Sequence, residues 1–291
     1  MSATALSPAA VATAPRRRGA VLRALLRRPV AAASIVVIVL FVLFALAAPL
    51  LGDPSEQDFA AINQAPGGAY LLGADELGRD VLTRLAYGGR VSLLVGLGST
   101  LLAFLFAVPL GLLAGYWRGW RDVVISRAVD VLLAFPYVIV AIALGAILGP
   151  SAPTIILALA IAQLPWIVRI VRGEVLSLRE REFVAAAIVD GTRDSTIMLR
   201  YLLPNLAGVL VVQATLMIPL AIIGEALLSF LGVGVKPPTP TWGTMLSGAQ
   251  PFVEQAPWLA IVPGATIAIV TFAFNLLGDS LLAELDPQGR R

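Results

Sequence analysis

EVLSLREREFVAAAIVDGTRDSTIMLRYLLP, residues 174–204, is the longest polar interruption in the second half of a very apolar chain. It carries Arg179, Arg181, Arg193 and Arg200 beside Glu180, Glu182, Asp190 and Asp194, and lies between two hydrophobic runs. Charge at that density is expelled from hydrocarbon, so the segment projects into water. Ser177 followed three residues later by Glu180 reads as a capping box that starts a helix near Leu178. Gly191 suits the position just past a helix, where the backbone turns left-handed. The expected layout is a short exposed helix, a turn at Gly191 and Thr192, and a second helix that Pro204 ends or kinks.

The rest of the chain explains why such a helix stands alone. Of 291 residues, 58% are hydrophobic and 13% charged, and the mean hydropathy is +0.89. Soluble domains carry about 25% charged residues, so this is a polytopic membrane protein. Net charge is +3, and every basic residue except Lys236 is arginine. Those arginines are dispersed between apolar runs rather than gathered on one module, which argues against nucleic-acid binding. Absence of cysteine excludes disulfides and thiolate chemistry. Absence of histidine removes the commonest general base and metal ligand. No catalytic, cofactor-binding or metal-binding residues are expected.

Six apolar spans follow from length, about 20 residues being needed to cross a bilayer. They cover residues 30–51, 91–116, 131–148, 154–171, 206–231 and 258–282. Ahead of the first lies an Ala-rich, acid-free tail, 1–29, with Arg16, Arg17, Arg18, Arg23, Arg27 and Arg28. It fits an uncleaved signal-anchor; a transit or signal peptide is the alternative. Residues 52–90 form an acidic loop. It opens on a turn at 52–54 and ends in a tight turn where Asp75 caps the following helix and Gly78 loosens its first turn. That loop is either simply solvated or a docking surface for an extracytoplasmic partner. The neutral Pro/Gly-rich stretch 232–257, with Trp242 and Trp258 nearby, either contacts such a partner or is a re-entrant or interfacial loop.

Most arginines fall in the tail, the 117–130 loop, the 172–204 loop and the C-terminus, where Arg290 and Arg291 lie. The positive-inside rule then puts both termini and the 172–204 loop in the cytoplasm. The expected fold class is an all-α polytopic membrane protein with six transmembrane helices. Pro109, Pro136, Pro165, Pro219 and Pro263 place a helix breaker in each of spans two to six, which suits a bundle that bends or lines a path. Glu225 is the costliest intramembrane residue, either a translocation or gate residue or one paired structurally. Gln163 within span four, and Asn275 and Asp279 in span six, are further candidate translocation or gate residues. Asn275 and Asp279, one turn apart, are expected to share a polar network. Gly111/Gly115 and Gly145/Gly149 match the close-packing GxxxG spacing. No GxxxxGK[ST] phosphate loop occurs, so any nucleotide-driven step needs another chain.

The 182–204 stretch resembles the cytoplasmic EAA signature of bacterial ABC importer permeases: EAA, three residues, Gly, nine residues, then I-x-L-P. Here the pattern reads Ala185-Ala186-Ala187, Gly191 and Tyr201-Leu202-Leu203-Pro204, departing at Ala185 and Tyr201. LGADELGRDVLTRLAYGGRVSLLVG (72–96), LLAFPYVIVAIAL (132–144), VLSLREREFV (175–184), EALLSFLGVGVKPPTPTWGTML (225–246), APWLAIVPG (256–264) and FNLLGDSLLAELDP (274–287) are similar to the dipeptide/oligopeptide/nickel branch. The resemblance runs from about residue 72 to 287 and points to the second, C-type, permease subunit.

That resemblance implies a type I ABC importer permease fold in the bacterial inner membrane, with a 91–285 core containing the 172–204 coupling loop. It also implies a heterodimer with a sibling permease subunit, two ATP-binding subunits and an extracytoplasmic solute-binding protein. The chain itself would then be a pore subunit and no enzyme, and would need no cofactor. The ATPase-docking helix would comprise Arg181, Glu182, Phe183, Ala185, Ala186, Ala187, Asp190 and Gly191, with Leu203 and Pro204 closing the signature. Glu182, on roughly the same helix face as Ala185, is expected to replace the acid missing there. Peptides are the expected solute, with nickel or glutathione as alternatives. An ion-coupled secondary transporter is the competing class, although no internal repeat joins 91–171 to 206–282.

Overall fold

The computed structural model describes residues 25–285; the basic tail through residue 24, Arg290 and Arg291 lie outside the described residues. Nine helices of at least eight residues organise these residues: α1 Pro29–Leu46, α2 Val81–Trp117, α3 Gly119–Leu133, α4 Tyr137–Leu148, α5 Ala152–Arg179, α6 Glu182–Val189, α7 Leu203–Phe230, α8 Trp242–Ala249 and α9 Trp258–Leu285. Among the described residues there is no β-strand, only isolated bridges between Gly67 and Tyr70 and between Ala74 and Asp80. Five helical runs are long and apolar enough to cross a membrane: α1, α2, α5, the Asp194–Phe230 run that ends in α7, and α9. A sixth candidate is α3 with α4, bent by 83° at their junction.

That bend is where one proline has its full effect. Pro136 stands just before α4, and its ring disfavours helical backbone at Phe135. The other four prolines do not interrupt their helices. Pro109, Pro165, Pro219 and Pro263 all lie inside continuous helices. Neighbouring helices hold these rods together where an isolated helix would break.

Helix α2 is the central pillar, packing most extensively on α5 and then on α7. Gly111 and Gly115 make the first contact possible. A Cβ at Gly111 would lie 2.6 Å from Val171 Cβ, and one at Gly115 would lie 2.7 Å from Val175 Cβ. The second GxxxG match fails: Gly149 has φ +82° and ends α4, with open space where its side chain would be. α1, by contrast, is apolar all round and leaves Val36, Val39, Leu40 and Leu43 exposed, as a helix against lipid does.

Helix α2 also begins ten residues earlier than its hydropathy suggests, inside the expected 52–90 loop. Asp80, not Asp75, caps it, accepting from Leu82 N at 3.4 Å, Thr83 N at 2.9 Å and Thr83 Oγ1 at 2.6 Å. Asp75 instead folds the preceding turn. Its Oδ1 accepts from the backbone N of Leu77 and of Arg79, each at 2.9 Å, and its Oδ2 meets Arg79 Nε at 2.7 Å and Arg84 Nε at 3.1 Å. Gly78 belongs to that turn, with φ +73°, and a Cβ there would come within 1.9 Å of Asp58 O. The Pro/Gly-rich stretch likewise folds back on the core. A Thr241–Thr244 capping box starts α8, and Trp242 is fully buried.

Candidate functional site

The polar 174–204 segment is a helix–turn–helix with two rigid stems. Helix α5 runs unbroken through Ser177 to Arg179, so the expected capping box does not form; Ser177 is an exposed residue inside the helix. α6 starts only at Glu182, after Arg181, with no side-chain cap. Glu182 in the first turn is instead placed to interact with the positive end of the helix dipole. Gly191, at φ +73°, closes α6 as expected. Its N–H bonds Ile188 O at 3.0 Å and Thr192 N–H bonds Ala187 O at 3.0 Å, the paired bonds of a Schellman motif.

One face of α6 is an anchor and the other is bare. Val184 and Ala187 are buried in a cluster with Val171 and Val175 of α5, Tyr116 of α2, and Ile197 and Leu202. Facing out are Glu182, Phe183, Ala185, Ala186, Ile188, Val189 and Asp190, with Val189 89% exposed. Of the small-residue triplet, Ala187 faces inward and Ala185 and Ala186 face solvent.

The second stem is not ended by Pro204. A short turn at Asp194–Thr196 passes into a π-helical stretch, Ile197–Leu202, which leads directly into α7. Pro204 lacks an N–H and crowds the carbonyl four residues back, and the wider π turn relieves that conflict. Leu203 is half-buried and Pro204 exposed on this stem.

Both stems are tied to the end of α2. Asp194 receives Tyr116 OH at 2.7 Å and Trp117 Nε1 at 3.0 Å. The Arg179 guanidinium lies 5.4 Å over the Tyr116 ring, and Arg118 pairs with Glu180. Arg172 grips Asp122 of α3 with two bonds, at 2.5 and 2.7 Å, and Arg169 meets Asp130 at 2.7 Å. Arg121 stacks 4.1 Å over the Trp117 ring. Pairing Asp194 with Tyr116 joins residues 78 apart, and nothing in the local pattern announces it.

The four polar span residues do not form one site. Glu225 is fully buried, its Oε2 accepting from Ser92 Oγ of α2 at 2.8 Å and its Oε1 from Ser229 Oγ at 2.7 Å. Ser92 Oγ in turn accepts from Trp242 N at 3.3 Å, and Trp242 Nε1 donates to Leu85 O at 3.1 Å. Glu225 thus joins α2, α7 and α8. Gln163 sits on α5, buried, and accepts from Thr100 Oγ1 at 3.1 Å. Asn275 and Asp279 are exposed on α9, and no hydrogen bond joins them among the described residues. Near that end of α9, Arg28 meets Glu284 at 3.1 Å.

The chain is similar to known membrane transport proteins. Residues 107–291 match the family described as binding-protein-dependent transport system inner membrane component. Residues 18–66 match the N-terminal TM domain of oligopeptide transport permease C. The chain is 42% identical over 264 residues to the dipeptide transport system permease protein of Alkalihalophilus pseudofirmus, covering 90% of this chain and 87% of that one. It is 44% identical over 257 residues to the di/tripeptide transport system permease protein of Pseudomonas aeruginosa, covering 86% and 85%. Against the glutathione transport system permease protein of Pectobacterium atrosepticum it is 40% identical over 269 residues, covering 91% and 89%.

Proposed function

The chain belongs to the family of binding-protein-dependent transport system inner membrane components, and from that premise we propose how this pore subunit of an ABC importer receives the work of ATP hydrolysis. Helix α6 is the coupling helix, seated in a cleft of a separate ATPase subunit. The observation that carries this reading is its two-faced burial: Val184 and Ala187 fixed in the core, Phe183, Ile188 and Val189 bare. An exposed apolar face on a helix of only eight residues, rimmed by Glu182 and Asp190, fits a protein partner. Gly191 closes the helix without a loose turn, and the Asp194 contacts carry a shift of α6 into α2. Such a shift enters the spans as a rigid-body motion.

In this reading α3 and α4 together form a bent third span. Both termini and α6 are cytoplasmic, supported by the arginine distribution. Residues 1–29 are the cytoplasmic tail, 30–51 the first span, 52–90 an extracytoplasmic loop whose last ten residues already belong to α2, and 91–285 the permease core. The sibling permease completes the pore, two ATP-binding subunits hydrolyse ATP, and a solute-binding protein delivers the cargo from the other side. The names of the relatives support a peptide as that cargo, with glutathione as the closest alternative.

The test is co-purification with the ATPase. Val189→Asp should weaken association by about tenfold or more, the order of about 1.4 kcal/mol for a charge forced against an apolar cleft. The permease itself should stay monodisperse. Undiminished association would remove α6 from the ATPase interface. Glu182→Ala tests the acid separately: if assembly and transport survive it while Gly191→Val abolishes both, Glu182 does not replace the acid absent at Ala185.

A further inference from the structure

Between α5 and α7 lies a cavity of about 440 Å³, open to one side and walled by Tyr137, Gln163, Trp166, Met217, Leu220 and Gly224 among others. Its size falls within the band of about 300–1,000 Å³ common to small-molecule sites, which are mostly apolar with a few placed polar groups. A second cavity of about 180 Å³ adjoins it and shares Tyr137, Ala162 and Trp166. Gln163 is 7% exposed, and its Nε2 has no hydrogen-bond partner among the described residues. The other end of the amide is already held, since Thr100 Oγ1 donates to Oε1. A buried donor left unmatched costs about 1–3 kcal/mol.

A lipid-facing wall has no use for such a donor, because acyl chains offer no acceptor. Two residues on, Pro165 lies inside α5. It supplies no N–H, so the Ile161 carbonyl, four residues back, lacks its helical donor. One turn of α5 therefore combines an unmatched side-chain donor with a freed backbone acceptor beside an apolar cavity. A secondary amide has the complementary pair, a carbonyl oxygen and an N–H.

We propose that Gln163 is a solute-contacting residue of the translocation path: its Nε2, closed off by its own surroundings at rest, is brought by a turn of the side-chain amide to donate to an amide carbonyl of a peptide that passes through the α5/α7 cavity. This inference rests on the importer reading above and adds to it a contact point and a substrate class. The apolar walls take short uncharged side chains, and the amide contact is indifferent to sequence. Gln163 thus selects for a peptide bond rather than for a particular residue.

The natural absence of cysteine makes the test direct. The complete transporter, with its sibling permease, ATPases and binding protein, is reconstituted in vesicles and supplied with labelled dialanine. Gln163→Glu keeps the shape and the Thr100 bond and, assayed at alkaline pH with its carboxyl ionised, replaces the donor with an acceptor. Uptake should fall by about tenfold or more, the order expected when a buried hydrogen bond becomes a repulsive contact. Assembly and ATPase stimulation by the binding protein should be retained. In parallel, Ala162→Cys should react with a charged, water-soluble maleimide, and dialanine should slow that reaction.

Unchanged uptake by Gln163→Glu overturns the proposal, as does loss of assembly with Gln163→Glu and Gln163→Leu alike. Ala162→Cys labelling only by a lipid-soluble maleimide would assign the cavity to the bilayer. No labelling by either reagent would assign it to the sibling interface. Absence of ATP-dependent uptake by the unaltered transporter is a different failure, that of the importer reading itself.

Discussion

Gly111→Ala puts one methyl group into the close contact between α2 and α5. The added carbon would lie 2.6 Å from Val171 Cβ, 2.7 Å from Val171 Cγ1 and 3.0 Å from Val168 O. Carbon atoms rest at about 3.5–4.0 Å, so α2 and α5 must separate locally by about 1 Å. None of the three atoms is the far end of a flexible side chain, so the strain passes into the backbone of α5. Overpacking of this kind costs about 1–3 kcal/mol, about a 5- to 150-fold change in an equilibrium.

Gly115→Ala makes the same collision one turn on, with Val175. The double variant should cost less than the sum, because one separation of the helices relieves both sites. The readout is the monodisperse fraction of purified protein during incubation at a fixed elevated temperature. Gly173→Ala is the internal control: it lies in the same helix pair, has open space at Cβ, and should be neutral or stabilising by up to about 1 kcal/mol. If Gly111→Ala decays no faster than Gly173→Ala, close approach of α2 and α5 is not what holds this half of the bundle.

Two further outcomes follow from buried charge. Asp75→Asn leaves Arg79 and Arg84, both buried, without their shared carboxylate, and should cost about 3–5 kcal/mol. Recovery of normal amounts of heat-stable protein would contradict it. Glu225→Gln retains a bond to one of the two serines, whereas Glu225→Leu strands both hydroxyls and should lose about 1–3 kcal/mol more. Limited proteolysis near α8 separates the two variants, Leu being cut faster; equal cutting would deny Glu225 its role as a joint.

Spans were legible in the sequence because apolar length is a local property, and so was the Gly191 turn, where one residue type supplies the needed backbone. The capping box at Ser177 misled because the Ser and Glu spacing is also satisfied inside a continuing helix. Val175 and Leu178 pack inward there and keep α5 wound to Arg179. Asp75 and Asp80 both precede α2, and which one caps it depends on Arg79 and Arg84 folding back onto Asp75. Four prolines looked like breaks because their neighbours in space were unknown. Nothing near Glu225 in sequence announced its partner Ser92, 133 residues away. Long-range pairs decided each of these points, and no window of sequence contains them.

Helix α2 holds the Asp194 clamp through Tyr116 and Trp117 at one end. At the other it holds the Glu225 and Trp242 joint through Ser92 and Leu85. Ser92 and Trp117 are 25 residues apart in one unbroken helix, about 37 Å at 1.5 Å per residue. The two attachments therefore sit on a single beam, pressed against α5 at Gly111 and Gly115, with no loop between them to absorb strain.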